Sequence, residues 1–159
     1  MNAHAFQDHM LANHCWGCGP HNEQGLQLKS YWETPGVQSI SEWTPWSQHM
    51  AGPTHILNGG IIATLLDCHS ICTAVAHAFH REGRAIDDSI WYVTGGLNIS
   101  YQKPTPIHQP VLLKAEISEW KEKKTVIAAA LYSGETLCAK AETIAVRVPE
   151  AWREKDHHH

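Results

Sequence analysis

Positive charge is scarce in this chain and is gathered nowhere: twelve Lys and Arg stand against sixteen Asp and Glu, for a formal net charge of -4. A surface that binds nucleic acid collects basic residues to neutralise phosphates, so a nucleic-acid partner is not expected. Long apolar runs are missing too. None approaches the roughly 18 to 20 residues that span a bilayer, and the polar start of the chain, with His4, Gln7, Asp8 and His9, lacks the pattern of a signal peptide. The expectation is a cytoplasmic protein with no membrane partner. Repeats and low-complexity stretches are also absent. The cysteines (Cys15, Cys18, Cys68, Cys72 and Cys138) are an odd set of five. Two of them fall inside an apolar helical pattern, where a thiol behaves as a small hydrophobe, so a disulfide framework is not expected.

What is present fits one globular domain. Hydrophobic residues make up 43% and charged residues 18% of 159 positions, a composition that can bury a core. A single domain over residues 1–156 is expected, with His157-His158-His159 read as the start of an affinity tag. Between Gly59 and His80 there is no proline, and Ile61, Leu65, Cys68, Cys72, Val75 and Phe79 recur every three or four residues. That spacing marks one long helix packed on an apolar surface. Ile90 to Tyr101, Pro110 to Trp120, Lys124 to Tyr132 and Leu137 to Val148 are rich in β-branched and aromatic residues, and the last three are joined by connections of hairpin length. Gln27 to Glu33 and Val37 to Thr44, separated by Pro35-Gly36, add two earlier strands. The order β-β-α-β-β-β-β predicts an α+β fold in which about six antiparallel strands wrap one central helix, because neither surface can otherwise bury its apolar face. A short extra helix is expected in the first dozen residues.

Asp67 does not belong in this helix by composition. It follows Leu65-Leu66 in the most apolar segment of the chain, and a carboxylate out of water is costly unless it is paired, hydrogen-bonded or shifted in pKa. One reading places it on a wet face of the helix beside Thr64 and Ser70. The other makes it a catalytic base or nucleophile tuned by its surroundings. The start of the helix favours the second. Asn58 is a good N-cap, and Gly59-Gly60 leave the first N–H groups unshielded at the positive end of the helix dipole, where a developing oxyanion can be held. Gly60 and Asp67 lie on nearly the same face but roughly 10 Å apart along the axis. One carbonyl cannot touch both, so a working site must take Asp67 from one chain and the Gly-Gly amides from another. A homodimer with two equivalent inter-subunit sites is the consequence, with further pairing into a homotetramer left open.

The segment His55-Ile56-Leu57-Asn58-Gly59-Gly60 running on to Asp67 resembles the signature of hotdog-fold acyl-coenzyme A thioesterases of the PaaI-like type, and Leu97-Asn98-Ile99-Ser100-Tyr101 with Lys103-Pro104-Thr105-Pro106 is similar to that family's second landmark. Cys15-Trp16-Gly17-Cys18-Gly19, Asn22 and Gly25-Leu26 resemble the N-terminal pattern of one subgroup. The resemblance implies a hotdog fold and hydrolysis of acyl-coenzyme A to free acid and coenzyme A without a cofactor. It implies Asp67 as the acid, Gly59 or Gly60 as donor to the thioester oxygen, Thr94 as a hydroxyl holding the attacking water, and His49 as a polar residue facing substrate. Trp46, Thr64 and Ser70 complete the expected substrate-binding set. Asn58 departs from the family pattern, which has histidine there: asparagine can cap and donate, but it does not titrate near neutral pH. Asn58 therefore supports an alternative, a non-catalytic acyl-coenzyme A binding module, while Asp67 speaks against it. Cys15 and Cys18 with His14 and His21 have the composition of a zinc site, but their spacing is cramped. The expectation is no metal and a tight loop packed by Trp16 against the sheet.

Overall fold

The computed structural model describes residues 4–153, so the expected tag at 157–159 lies outside the described residues. After a 3-10 turn at Phe6–His9 come β1 (Tyr31–Thr34), β2 (Gln38–Trp43), a second 3-10 turn at Ser47–His49, α1 (Gly59–Glu82), β3 (Tyr92–Tyr101), β4 (Val111–Trp120), β5 (Lys124–Ser133), β6 (Thr136–Arg147) and a short α2 (Glu150–Arg153). The six strands form one antiparallel sheet in the order β1-β2-β4-β5-β6-β3. The expected β-β-α-β-β-β-β order and the meander of the last three strands are both present, and the sheet with its single long helix is the hotdog arrangement.

The sheet grips α1 through alternation. In β5 buried and open positions alternate along most of the strand, and Ile127 and Leu131 point inward beside Val111 and Leu113 of β4. Against them lie Leu65, Leu66 and Phe79 of α1, none more than 1% exposed. Burying side chains of this size contributes about 1.5–3 kcal/mol each, which is why α1 holds its place. Although no unbroken apolar run of spanning length was expected, α1 as a whole is apolar enough by length and composition to cross a membrane; here its apolar surface packs against the sheet. Asn58 caps its start, and Gly83, in the left-handed region at φ 66°, ends it by returning its N–H to the His80 carbonyl. Inside the core a polar chain runs from the Gln7 amide to Ser30, then to His69, which sits between the hydroxyls of Ser30 and Ser39.

β1 differs from expectation, starting at Tyr31 rather than Gln27. The backbone at Gln27 is left-handed, with φ 55°, so the chain cannot be extended through it. Its neighbours are tied elsewhere: the Leu26 and Leu28 N–H groups donate to the carbonyls of Trp16 and Gly17. The expected packing of Trp16 against the sheet does not occur either. Trp16 is exposed, and it is Gly17 that lies against α1.

Candidate active site

Residues of partial burial trace one stripe along α1 at Ile61, Thr64, Asp67 and Ile71, and Asp67 is the acid on that stripe. Ser70 is not on it. Three residues after Asp67 it has turned under the sheet, where it is fully buried and its hydroxyl has no partner among the described residues. The Thr64 hydroxyl is turned back to the Gly60 carbonyl, 3.0 Å away, as threonine commonly does inside a helix.

β3 delivers the second component. Its pairing with β6 shifts register between Thr94 and Gly96, a bulge centred on Gly95. A Cβ at Gly95 would come within 2.6 Å of the Val146 side chain, which would have to shift, so glycine eases the bend here. Beside the bulge the Thr94 hydroxyl donates to Asp67 Oδ1 at 2.6 Å, a short, charge-assisted hydrogen bond. Burial pushes the Asp67 carboxyl above its ordinary range, and the Thr94 hydrogen bond works in the opposite direction. Asp67 and Thr94 both line a cavity of about 270 Å³ whose other walls include Ile71, Val75, Ile90 and Tyr92. An acid held by a hydroxyl at the wall of a mainly apolar cavity can take a proton from water there.

The other expected residues gather at the start of α1. Asn58 Oδ1 accepts from the N–H groups of Gly60, at 2.8 Å, and Ile61, at 3.1 Å. The Gly60 amide is therefore engaged, whereas the Gly59 amide has no acceptor among the described residues. The peptide after Gly59 is fixed from the far side: the Tyr101 hydroxyl donates to the Gly59 carbonyl at 2.7 Å. Asn58 is anchored by its own N–H to the His49 carbonyl. The His49 ring stacks on exposed Trp46 and lies against Trp43, and its Nδ1 accepts from the Trp46 N–H, which leaves the proton on Nε2. Burial holds the His49 pKa below its ordinary value, which favours the neutral ring.

The chain thus gathers these residues in two groups, Asp67 with Thr94 in one and Asn58, Gly59 and Gly60 with His49 and Trp46 in the other. Sequence reasoning missed Tyr101 as a partner of Gly59; the two are 42 residues apart, and no local pattern links them.

A single helix gripped by a six-stranded antiparallel sheet is the hotdog fold. The chain belongs to the thioesterase superfamily. It is similar to a thioesterase superfamily protein from Shewanella loihica, with 34% identity and a TM-score of 0.65 over 86% of this chain and 96% of that one. It shares its fold with the PaaI protein from the phenylacetic acid degradation operon of Escherichia coli, at 13% identity and TM-score 0.63 over 78% of this chain and 81% of that one. It also shares it with a thioesterase from Haemophilus influenzae, at 13% identity and TM-score 0.68 over 89% and 90%. No family model matches the chain, and no curated protein does.

Proposed function

We propose that the chain hydrolyses acyl-coenzyme A thioesters as a homodimer, each site taking Asp67 and Thr94 from one copy and the Gly59 amide from the other. The observation that carries this reading is the Asp67–Thr94 pair at the cavity wall. Thr94 occupies Oδ1, so Oδ2 is left for a water. The carboxylate takes a proton from that water as its oxygen attacks the thioester carbon. The carbonyl oxygen becomes an oxyanion and is received by the Gly59 N–H at the positive end of α1. Collapse of the tetrahedral intermediate breaks the carbon–sulfur bond. Coenzyme A leaves and takes up the proton held by Asp67, and the acid is released. The dimer is supported by β3, which lies at the edge of the sheet with one side unpaired and with Val93, Leu97 and Tyr101 exposed along it. An open ten-residue edge strand with exposed apolar side chains calls for a partner strand.

A binding module without turnover is the second reading, favoured by Asn58. The geometry weakens it, because Asn58 spends its side-chain oxygen on capping, a task that requires no titration. Thiol release from short, medium, long and aromatic acyl-coenzyme A thioesters by the parent and by Asp67→Ala separates the two. Turnover that falls by about two or more orders of magnitude in the variant supports hydrolysis. Retained binding with no turnover by the parent on any thioester overturns it in favour of the module.

A further inference from the structure

Four of the five cysteines meet beside this cavity, and the chemistry above uses none of them. Cys15 and Cys18 come from the N-terminal loop, Cys68 and Cys72 from successive turns of α1. The sulfurs of Cys15 and Cys68 are 3.7 Å apart, and those of Cys18 and Cys72 are 3.6 Å apart. Cys15, Cys18 and Cys68 all place their sulfurs within 4.8 Å of one another, while Cys72 stands outside that group and meets it through Cys18. In a tetrahedron of thiolates around zinc, with zinc–sulfur distances of about 2.3 Å, neighbouring sulfurs stand about 3.8 Å apart. None of the four is joined in a disulfide, and Cys15 is exposed, which gives an ion a way in.

Packing of thiols as hydrophobes does not account for the loop that carries them. The Gly17 N–H points at Cys15 Sγ, 3.4 Å away, and the Asn13 side-chain amide donates to Cys18 Sγ at 3.5 Å. Asn13 also accepts the Cys15 N–H at 3.0 Å, and the Gly19 N–H returns to the Cys15 carbonyl at 2.7 Å. N–H groups aimed at sulfur favour thiolate, the form that binds metal. Two glycines make the approach possible. A Cβ at Gly17 would lie 2.3 Å from Cys68 Sγ, and one at Gly19 would lie 2.5 Å from the Cys15 backbone nitrogen. Cys138 provides the contrast: it is buried in β6, its sulfur reaches only backbone carbonyls, and it belongs to no cluster.

We propose that Cys15, Cys18 and Cys68 hold a thiophilic divalent cation, zinc, which draws in Cys72 from beside Cys18 as the fourth ligand and clamps the N-terminal loop onto α1. Binding replaces four S–H protons, released to solvent, by four zinc–sulfur bonds with no change of oxidation state. Zinc on Cys15 and Cys18 with His14 and His21 was not expected, because the spacing of those four is cramped. The structure supplies the missing ligands from the helix instead, and the two histidines are exposed and lie against each other.

The test is metal analysis of the purified full chain together with cobalt(II) spectroscopy, on the parent and on Cys15→Ser, Cys68→Ser and Cys138→Ser. All four proteins share the terminal histidines, whose cobalt complexes lack sulfur-to-metal charge transfer. The expected result is about one zinc per chain in the parent and Cys138→Ser, a loss of about tenfold or more in the other two, and near-ultraviolet sulfur-to-cobalt charge transfer in the parent with red tetrahedral bands. Chelation is expected to lower the thermal midpoint of the parent by several degrees, because metal binding is part of the folding free energy. Equal zinc in all four proteins, a parent cobalt spectrum without charge transfer, or a disulfide among the four cysteines by mass under non-reducing conditions overturns the proposal. If either serine variant does not fold, the parent spectrum decides alone.

Discussion

The Thr94 hydroxyl donates to Asp67 Oδ1 across 2.6 Å, joining a strand bulge to the half-buried acid of the central helix. Burial raises the Asp67 pKa, so the folded state bears a cost for keeping the group ionised at neutral pH. Asp67→Asn keeps the shape and removes the charge. Its kcat is expected to fall by about two or more orders of magnitude, while its thermal midpoint stays level or rises. A drop in the midpoint as large as the drop in activity would make Asp67 a structural residue.

Thr94 is tested by the pair Thr94→Val and Thr94→Ser. A hydrogen bond to a charged group contributes about 1.5–3 kcal/mol, so losing it is expected to lower kcat roughly 10- to 100-fold in the valine variant. Serine keeps the hydroxyl and is expected to keep most of the rate. Equal losses in both variants would trace the effect to packing around the bulge.

Much of the fold was legible in the sequence, because periodicity and turn residues are local signals. The helix and β3 to β6 fall within two residues of their expected limits. What was not legible is long-range. Cys15 and Cys68 are 53 residues apart, and Tyr101 and Gly59 are 42 apart, so their meeting depends on how the sheet closes over α1. Ser70 illustrates a different limit. Its distance from Asp67 in sequence suits the same face, but only the packing shows which side of α1 is covered, and Ser70 lies on that side.

Asn58 does two things that one substitution can separate. Aspartate caps as well as asparagine and suits the helix dipole, so Asn58→Asp is expected to leave the thermal midpoint level. It places a negative charge beside the Gly59 amide, the proposed oxyanion donor, and kcat is expected to fall about tenfold or more. Asn58→Ala removes the cap at a cost of about 1 kcal/mol, a drop of about 2–4 °C in a chain of this size. Unchanged turnover in Asn58→Asp would move the oxyanion away from this end of the helix.

His69 makes stability depend on pH. It is fully buried between Ser30 and Ser39, and burial pulls its pKa from the ordinary 6.5 to about 4, the Ser39 contact opposing. Above the ordinary pKa the folded and unfolded chains are alike. As pH falls from there toward 4, the unfolded chain takes up a proton that the folded one refuses, and stability drops by about 3 kcal/mol before levelling off. Urea midpoints across that window, for the parent and His69→Gln, are expected to show a shallower fall in the variant. Identical slopes would rule out His69 as the group responsible.

The division of the site between two copies has its own test, because each half can be removed separately. Asp67→Asn disables one half. Gly59→Pro disables the other: Gly59 is the first helical residue after the Asn58 cap, a position where proline is well tolerated and where the only group lost is the N–H. The cap backbone, at φ -58° and ψ 132°, is already in the extended region that a following proline requires. Each variant alone is expected to be inactive. When equal amounts are unfolded and refolded together, half of the dimers are mixed, and each mixed dimer has one site with an intact Asp67 facing an intact Gly59 amide. Activity is expected to return to about a quarter of the parent value. If both residues instead served a carbonyl within one chain, every site in the mixture would still lack one half and no activity would return.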